Sequence, residues 1–495
     1  MTATQPHPQP IAPQSQSLTT APQSLPPASL DPDFLDRVAL VSFQKLVLAS
    51  GELLFPCRAD LIDDKIALIR DLMQALGQRP PESVLAHWRD LLQQKIAVGA
   101  ADSPQSRLRV TFHPADVLMG LVGGFQVGIK VLVNDAMGVA HSGDEGDGLS
   151  KPVFDHRAPS LLTQTLSQGT LKMAALPSLI DQHLNQIRRL LEALGQRITD
   201  DEVEGWRGAI APLLHQLFQQ SPNAYLMVRY RVLDPAHGLP SGIALELSGE
   251  VTSIEAEYQS WTHTRQGPLF GAHAAAKVLD VAAQLGDPSL CPILDIGAGT
   301  GRNSLALAQR GFVVDALELA PALVEQLTQA RDDAKLPLNV VEGNILDPQL
   351  VLPHQQYKMI FLSEVVASHF RSVDEVRQLF VRLSDLLQPG GMLLFNAFLA
   401  VDRYQPTPAV LELAQTFWSC VFTEAEMHAA MADLPILPVS NQSVADYEKA
   451  HLPPKAWPPT DWFLDWATGR NLFPTIGHPP IELRWMIWQR QTFQG

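Results

Sequence analysis

Two stretches of the chain, 118 residues apart, repeat one pattern of apolar and polar positions. Leu61, Ile62, Ile66, Ile69, Leu72, Met73 and Leu76 fall at helical spacing, and so do Leu179, Ile180, Leu184, Ile187, Leu190, Leu191 and Leu194. A glycine follows each run, Gly77 and Gly195, where a helix ends in a left-handed residue. A second helix follows, with Trp88 or Trp206 on its apolar face; the plainer reading of this pair is a core residue repeated with its module. The period then changes to two. Leu108, Val110 and Phe112 share one strand face in the first stretch, and Leu226, Val228, Tyr230 and Val232 in the second. Ile243 to Tyr258 supplies a further strand pair. From Leu61 to Arg89 and Leu179 to Arg207, 13 of 29 ungapped positions are identical, where average composition gives about 2. The offset persists to Ser103-Pro104 against Ser221-Pro222. A period of this length is domain-sized. The pattern therefore predicts a duplicated α+β N-terminal domain, copies at 33–155 and 156–257, each opening on an amphipathic helix and closing on a hairpin.

Beyond residue 258 the pattern becomes one of short apolar strands followed by helices, which predicts an α/β fold. Ile293 to Leu307, ILDIGAGTGRNSLAL, carries the most chemistry. An apolar strand reaches Asp295, three glycines follow at every second position (Gly297, Gly299, Gly301), and a helix begins. Glycine allows a positive φ and close approach of a ligand, and open α/β sheets bind ligands at the carboxyl ends of their strands. A dinucleotide fingerprint would place glycine at Arg302. Here an acid precedes the loop, which suits a cationic ligand. Phe312 to Glu318 reads as the next strand. Glu318 lies 19 residues after Gly299, close to the spacing of a carboxylate that accepts both hydroxyls of a ribose. Asp315, three residues earlier and inside the strand, does not reach the same spot.

Composition narrows the classes. The 495 residues suggest about three domains. A net charge of −16 argues against general binding to nucleic-acid phosphates. Cys57, Cys291 and Cys420 are dispersed and form neither a disulfide framework nor a zinc pattern, which fits a cytoplasmic protein. Residues 1–32, rich in Pro, Gln and Ser, read as a disordered tail without secretory character. The longest apolar run, Val117 to Val133, contains Gln126, Lys130 and four glycines and reads as strand and turn, so no membrane partner is expected. Ser142 to Gly148, SGDEGDG, reads as a solvated linker, since it lacks the ligand spacing of a calcium loop.

DIGAGTGRNSLALA followed by VVDALELAPALVEQL resembles the first two motifs of class I S-adenosylmethionine-dependent methyltransferases. The GRNSLALA portion is especially similar to small-molecule and tellurite-type members. The resemblance covers 258–495. It implies a seven-stranded Rossmann-like sheet and S-adenosyl-L-methionine as cofactor, with no metal. It places Asp295, Gly297, Ala298, Gly299 and Gly301 at the methionine end, and Glu318 and Leu319 at the ribose. Asn339 to Asp347 resembles the third strand and its exit, with Asn344 where relatives often have an acid and Ile345 stacking on the adenine. Tyr357 to His369 matches the fourth strand and its exit at Ser363-Glu364, which faces the methyl group. Relatives often carry a histidine four residues beyond that point; His369 is five beyond, a rotation of about 100° on a helix. Glu364 and His369 are the candidate catalytic groups. SEVV stands where amino-methylating relatives that act on DNA bases and glutamine have Asn/Asp-Pro-Pro-aromatic, which disfavours those substrates. Leu386 to Phe398 looks like the turn at Pro389-Gly390-Gly391 and the fifth strand, with Asn396 and Phe398 near the acceptor. Leu434 to Val439 and Ile481 to Arg490 follow as sixth and seventh. Trp457, Trp462, Phe463 and Trp466 form an acceptor lid or pack over the sheet, and Tyr258, Trp261 and Arg265 fold over the cofactor. The function implied is methyl transfer to a protein side chain or bulky small molecule recognised with the duplicated domain. The alternatives are a non-catalytic cofactor-binding scaffold and, more remotely, an NAD-dependent oxidoreductase.

Overall fold

The structure, a computed structural model, describes residues 31–77, 79–102, 106–114, 117–118, 121–122, 125–132, 166–232, 243–264 and 268–492. The expectations for residues 1–30, the 142–148 loop and Arg265 lie outside these residues. After α1 (Pro32–Val41) come β1 (Val47–Pro56), α2 (Ile62–Ala75), α3 (Glu82–Asp102), β2 (Arg107–Pro114), the short pair β3 (Val117–Leu118) and β4 (Leu121–Val122), and β5 (Phe125–Leu132). The series then recurs as β6 (Leu166–Ala174), α4 (Ile180–Ala193), α5 (Asp200–Gln220), β7 (Tyr225–Val232) and β8 (Ile243–Glu250). The offsets are constant: 180 − 62, 200 − 82, 225 − 107 and 243 − 125 all equal 118. Gly77 and Gly195 take φ of 79° and 82°. At the second, the Gln196 N–H donates to Leu191 O, which closes the helix end.

Each repeat opens on a strand, not on a helix. The missed strands β1 and β6 are broken in sequence by Ser50-Gly51-Glu52 and Ser167-Gln168-Gly169, which dilute the alternation. They pair antiparallel at the centre of a six-stranded sheet of order β5-β2-β1-β6-β7-β8. There Gly51 faces Gly169, and beside them in register stand Phe112 and Tyr230, themselves 118 apart. The two rings lie over the two glycines. A Cβ on Gly169 would stand 2.3 Å from Ser50 O and 2.6 Å from the Tyr230 hydroxyl. Backbone cannot yield as a side chain can, so Gly169→Ala should cost roughly 1–3 kcal/mol in chemical denaturation. Gly208→Ala, where nothing lies within 4 Å, should change stability by less than about 1 kcal/mol, toward the stable side.

The second half runs α6 (Ile254–Thr264), α7 (Ala276–Ala283), β9 (Ile293–Ile296), α8 (Arg302–Ala308), β10 (Val314–Glu318), α9 (Pro321–Ala334), β11 (Leu338–Glu342), β12 (Tyr357–Leu362), α10 (Val365–His369), α11 (Val373–Leu386), β13 (Leu387–Ala400), α12 (Pro408–Thr416), β14 (Val421–Phe422), α13 (Glu424–Ala430), β15 (Ile436–Ser443), α14 (Val444–His451), α15 (Phe463–Ala467) and β16 (Ile481–Arg490). Its mixed sheet has the order β11-β10-β9-β12-β13-β16-β15. The first five strands are parallel, and β16 is antiparallel to both neighbours. An eighth strand, β14, pairs with the end of β13, where the chain returns from α12. Two expected details differ. Pro389 to Gly391 bulge within β13 rather than forming a turn before it, and β15 runs on to Ser443 because a bulge accommodates Pro438.

Apolar side chains cover both faces of this sheet. One core holds Leu294, Ile360, Phe380 and Phe395. The other runs unbroken from Leu53 and Leu171 of the first sheet to Phe361, Phe398 and Trp485 of the second. Trp457, Trp462, Phe463 and Trp466 pack against this second core, the plainer of the two roles open to them. Among the described residues no helix is long and apolar enough to cross a membrane.

Candidate functional site

The loop after β9 is bent by glycines that the sequence requires. Gly297, Gly299 and Gly301 take φ of 73°, 57° and 89°, a region that side chains with a Cβ avoid. Their missing Cβ atoms leave room for protein, contrary to the expectation that they chiefly clear a ligand's path. A Cβ on Gly297 would meet Val365, one on Gly301 would meet Leu327, and one on Gly299 would stand 3.2 Å from the Phe270 ring. Tight packing brings α10, α9 and Phe270 onto the loop. Gly297 itself is exposed, while Ala298 is buried.

The three residues after the loop tie it down. Asn303 Oδ1 accepts the Ala275 N–H at 2.9 Å. Ser304 Oγ donates to Asp295 Oδ2. Arg302 donates to Phe270 O at 2.7 Å and to Glu364 Oε1 at 2.8 Å, and its side chain is 8% exposed. It also donates to Ser363 Oγ at 3.4 Å. The residue that displaces a dinucleotide glycine is thus a staple between the loop and the exit of β12, a role its sequence position did not signal.

Asp295 is 1% exposed. Burial pushes its carboxyl up to about 7, aided by the nearby Glu318 charge and opposed by the Ser304 hydroxyl and Arg302. Glu318 is 5% exposed. Its Oε2 accepts the Gly299 N–H at 2.7 Å, and its Oε1 accepts those of Leu319 and Ala320, both at 2.9 Å. Burial raises its pKa, and the three amides pull it back. The end of β10 is thereby fixed to the glycine loop through one carboxylate. Asp315 lies apart, accepting from Tyr357 and Asn339.

At the end of β11, Asn344 is exposed, and its Oδ1 accepts the Leu346 N–H at 2.9 Å, as turn-forming asparagines do. Ile345 does not stack outward as expected. It is 6% exposed and belongs to the core beneath the sheet, because the short Gly343-Asn344 turn points it inward. The apolar groups left at this corner are Leu319, 37% exposed, and Leu346, 36% exposed.

At the exit of β12, Glu364 takes φ of +69°, uncommon outside glycine. Its N–H donates to Asn396 Oδ1 of β13 at 2.6 Å, and its carboxylate holds Arg302. A narrow cavity of about 10 Å³, space for one water, lies between Arg302, Glu364, Asn396, Glu448 and Trp485. Glu448 is buried with three donors, the Ala276 and Lys277 N–H groups and Trp485 Nε1. His369 does not stand on an open helix face. Its Nε2 is hydrogen-bonded to the Tyr258 hydroxyl at 2.9 Å, and burial pushes its pKa down to about 4. Rings of Tyr258 and Trp418 flank it, and Trp261 packs on Trp418 at 5.0 Å. Tyr258 and Trp261 also pack on Leu269, Ala320 and Leu323, so α6 bridges the start of α9 and the end of α10. Arg302, Phe270 and Trp418 are site residues to which the sequence assigned no role, and Asn396, expected near the acceptor, holds the exit of β12.

Residues 293–391 match the family model described as a methyltransferase domain. The recognition of such a domain in the C-terminal half is borne out. A curated protein of Geobacillus sp. (strain WCH70), named provisionally as a methyltransferase, is 26% identical over 143 residues, 29% of this chain and 51% of that protein. The chain thus spans about half the length of this relative. Among solved structures, a geranyl diphosphate C-methyltransferase from Streptomyces coelicolor A3(2) is 15% identical, covering 48% of this chain and 99% of that one at a TM-score of 0.37. The [4+2]-cyclase SpnF is 11% identical, covering 49% and 97% at 0.34. Likenesses at these scores decide nothing about what this chain binds.

Proposed function

We propose that this chain, which carries a methyltransferase domain over residues 293–391, transfers the methyl group of S-adenosyl-L-methionine to an acceptor at the carboxyl edge of its second sheet. The observation that carries the reading is Glu318 bonded to the Gly299 amide. An acid 19 residues downstream of Gly299 is locked beside the loop, as binding one ligand through a ribose hydroxyl, one rather than the two expected, and an amino-acid end requires. A carboxylate offers about four acceptor positions, and the three amides leave one for a ribose hydroxyl. Exposed Gly297 backbone near the buried Asp295 suits the methionine ammonium and carboxylate. Leu319, Leu346 and the Asn344 amide suit a flat, polar-edged adenine. When bound, the sulfonium supplies an activated methyl carbon and a neutral thioether as leaving group. The protein's own contribution is placement: it orients the acceptor in line and excludes water. The Arg302–Glu364 pair fixes the β12 exit, and His369 is held neutral.

We read the first half as one module copied twice, 33–155 and 156–257, followed by the catalytic half, 258–495, with the sheet path of seven strands as its Rossmann-like frame. The acceptor, a protein side chain or bulky small molecule, is recognised with help from the repeats, since some 220 residues exceed what a metabolite pocket needs. Tritiated S-adenosyl-L-methionine incubated with the full chain and an extract, followed by mass spectrometry of labelled species, tests this. Label in a defined species is expected. Binding of S-adenosylhomocysteine without label in any fraction would replace the enzyme by a scaffold, and absence of binding would end the cofactor reading.

A further inference from the structure

Trp418, like Glu364, is a strained residue of this site. A bulky side chain at φ of +57° is disfavoured and persists only where surroundings enforce it. Its N–H donates to Gln415 O, and its own carbonyl accepts Ser368 Oγ and Trp466 Nε1. The ring then rests on Trp261, His369 and Tyr258. Trp418 follows α12, and α12 is gripped from the repeat domain. Ser178 donates through N–H and hydroxyl to the Glu412 carboxylate at 2.8 and 2.7 Å. Arg371 donates to Phe218 O at 2.8 Å, lies 4.5 Å over the Phe218 ring, and donates through Nε to Gln415 at 2.8 Å. Arg371 is two residues from His369. One guanidinium therefore joins the last turn of α5 to both supports of the ring stack. Among the described residues these polar contacts come from the second repeat, while α1, at the start of the first, packs against α12 through apolar side chains. The first has Asp60 and Ala100, both exposed, at the positions of Ser178 and Phe218.

We propose that Trp418 is a positioning residue of the methyl-transfer site and that the second N-terminal repeat sets it through Arg371 and α12. The proposal rests on the cofactor lying between the glycine loop and α6. Phe270, packed on Gly299 and 6.2 Å from Tyr258, carries the position of α6 to the loop. The repeat domain is then a wall support for the site, beyond any part it has in gripping acceptor, and a ligand that moved α5 would be felt at α6.

The test compares the full chain with Arg371→Met, Arg371→Lys and Trp418→Phe. Trp261 and Trp418 stand close enough for an exciton couplet in circular dichroism, and the difference spectrum of Trp261→Phe isolates it from that of Trp462 and Trp466, 5.8 Å apart. Arg371→Met is expected to weaken the couplet. It should also speed hydrogen exchange in α6 and release of S-adenosylhomocysteine, each about tenfold, a common size of coupling between sites. Arg371→Lys, keeping the charge but not the fork, should fall between, and Trp418→Phe should match Arg371→Met in release. A lowered melting point with unchanged couplet, α6 exchange and release would overturn the proposal. If the unaltered chain does not bind S-adenosylhomocysteine, the cofactor reading fails instead. The couplet and exchange, which need no ligand, still decide whether the repeat sets Trp418.

Discussion

Glu318→Ala is expected to weaken S-adenosylhomocysteine binding about a hundredfold and to lower stability by about 3 kcal/mol. Both effects come from one carboxylate. Hydrogen bonds to a charged group contribute about 1.5–3 kcal/mol. Loss of the bond to a ribose hydroxyl, together with slackening of the loop, makes roughly 2.7 kcal/mol, or two factors of ten. The fold suffers separately, because Gly299, Leu319 and Ala320 each lose the acceptor of their N–H. Orphaned buried donors cost about 1–3 kcal/mol apiece, reduced where water enters the space left by the side chain. Glu318→Gln separates the contributions. It preserves volume but turns an amide toward one backbone donor, so binding should fall nearly as far. Calorimetric titration, at a temperature where circular dichroism shows each variant folded, reads the affinity. An affinity within threefold of the unaltered chain in a folded Glu318→Ala protein would sink the ribose assignment.

What the sequence made legible follows from period and spacing. The repeat was readable because helix faces must be apolar at the same positions in both copies; Leu72 and Leu190 are both buried cores of their helices. The strands β1 and β6 were not, because Gly51 and Gly169 at the join carry no apolar side chain to mark the alternation, and the rings that fill their place come from β2 and β7. In the second half, distance from the loop points to Glu318, whose carboxylate accepts the Gly299 N–H. Ile345 was misassigned because only the turn's geometry decides which of two neighbouring apolar residues faces out. Arg302, Asn396 and Trp418 make contacts with residues 32 to 157 positions away, and no local spacing encodes such partners. His369 illustrates the same limit from the other side. Its one-residue offset speaks only to its place on the helix, whereas its neutral state depends on rings from α6 and from beyond α12.

Asp295→Asn should reverse the usual expectation that loss of a buried charge destabilises. The ordinary value for this carboxyl is 3.8 and burial raises it to about 7. Between those values the folded protein keeps a proton that the unfolded chain has released. Stability must then fall as pH rises from about 4 to about 7 and level off above. The full span corresponds to about 4 kcal/mol at 1.36 kcal/mol per unit, an upper bound. Asparagine cannot ionise, and its side-chain oxygen can still accept from Ser304. The variant should therefore match the unaltered protein near pH 4 and exceed it at pH 8, with a shallower slope between. Some slope remains, because Glu318 is shifted in the same direction. Binding should move oppositely. A ligand ammonium favours the ionised carboxylate, so S-adenosylhomocysteine affinity of the unaltered chain should rise through pH 7, whereas that of Asp295→Asn should stay flat and lie about tenfold lower at pH 8, the equivalent of one 1.4 kcal/mol contact. Melting curves and titrations at pH 5, 6, 7 and 8 measure both trends. Parallel stability slopes in the two proteins would show that Asp295 is already ionised in the fold, and a variant binding equally at pH 8 would remove it from the methionine end.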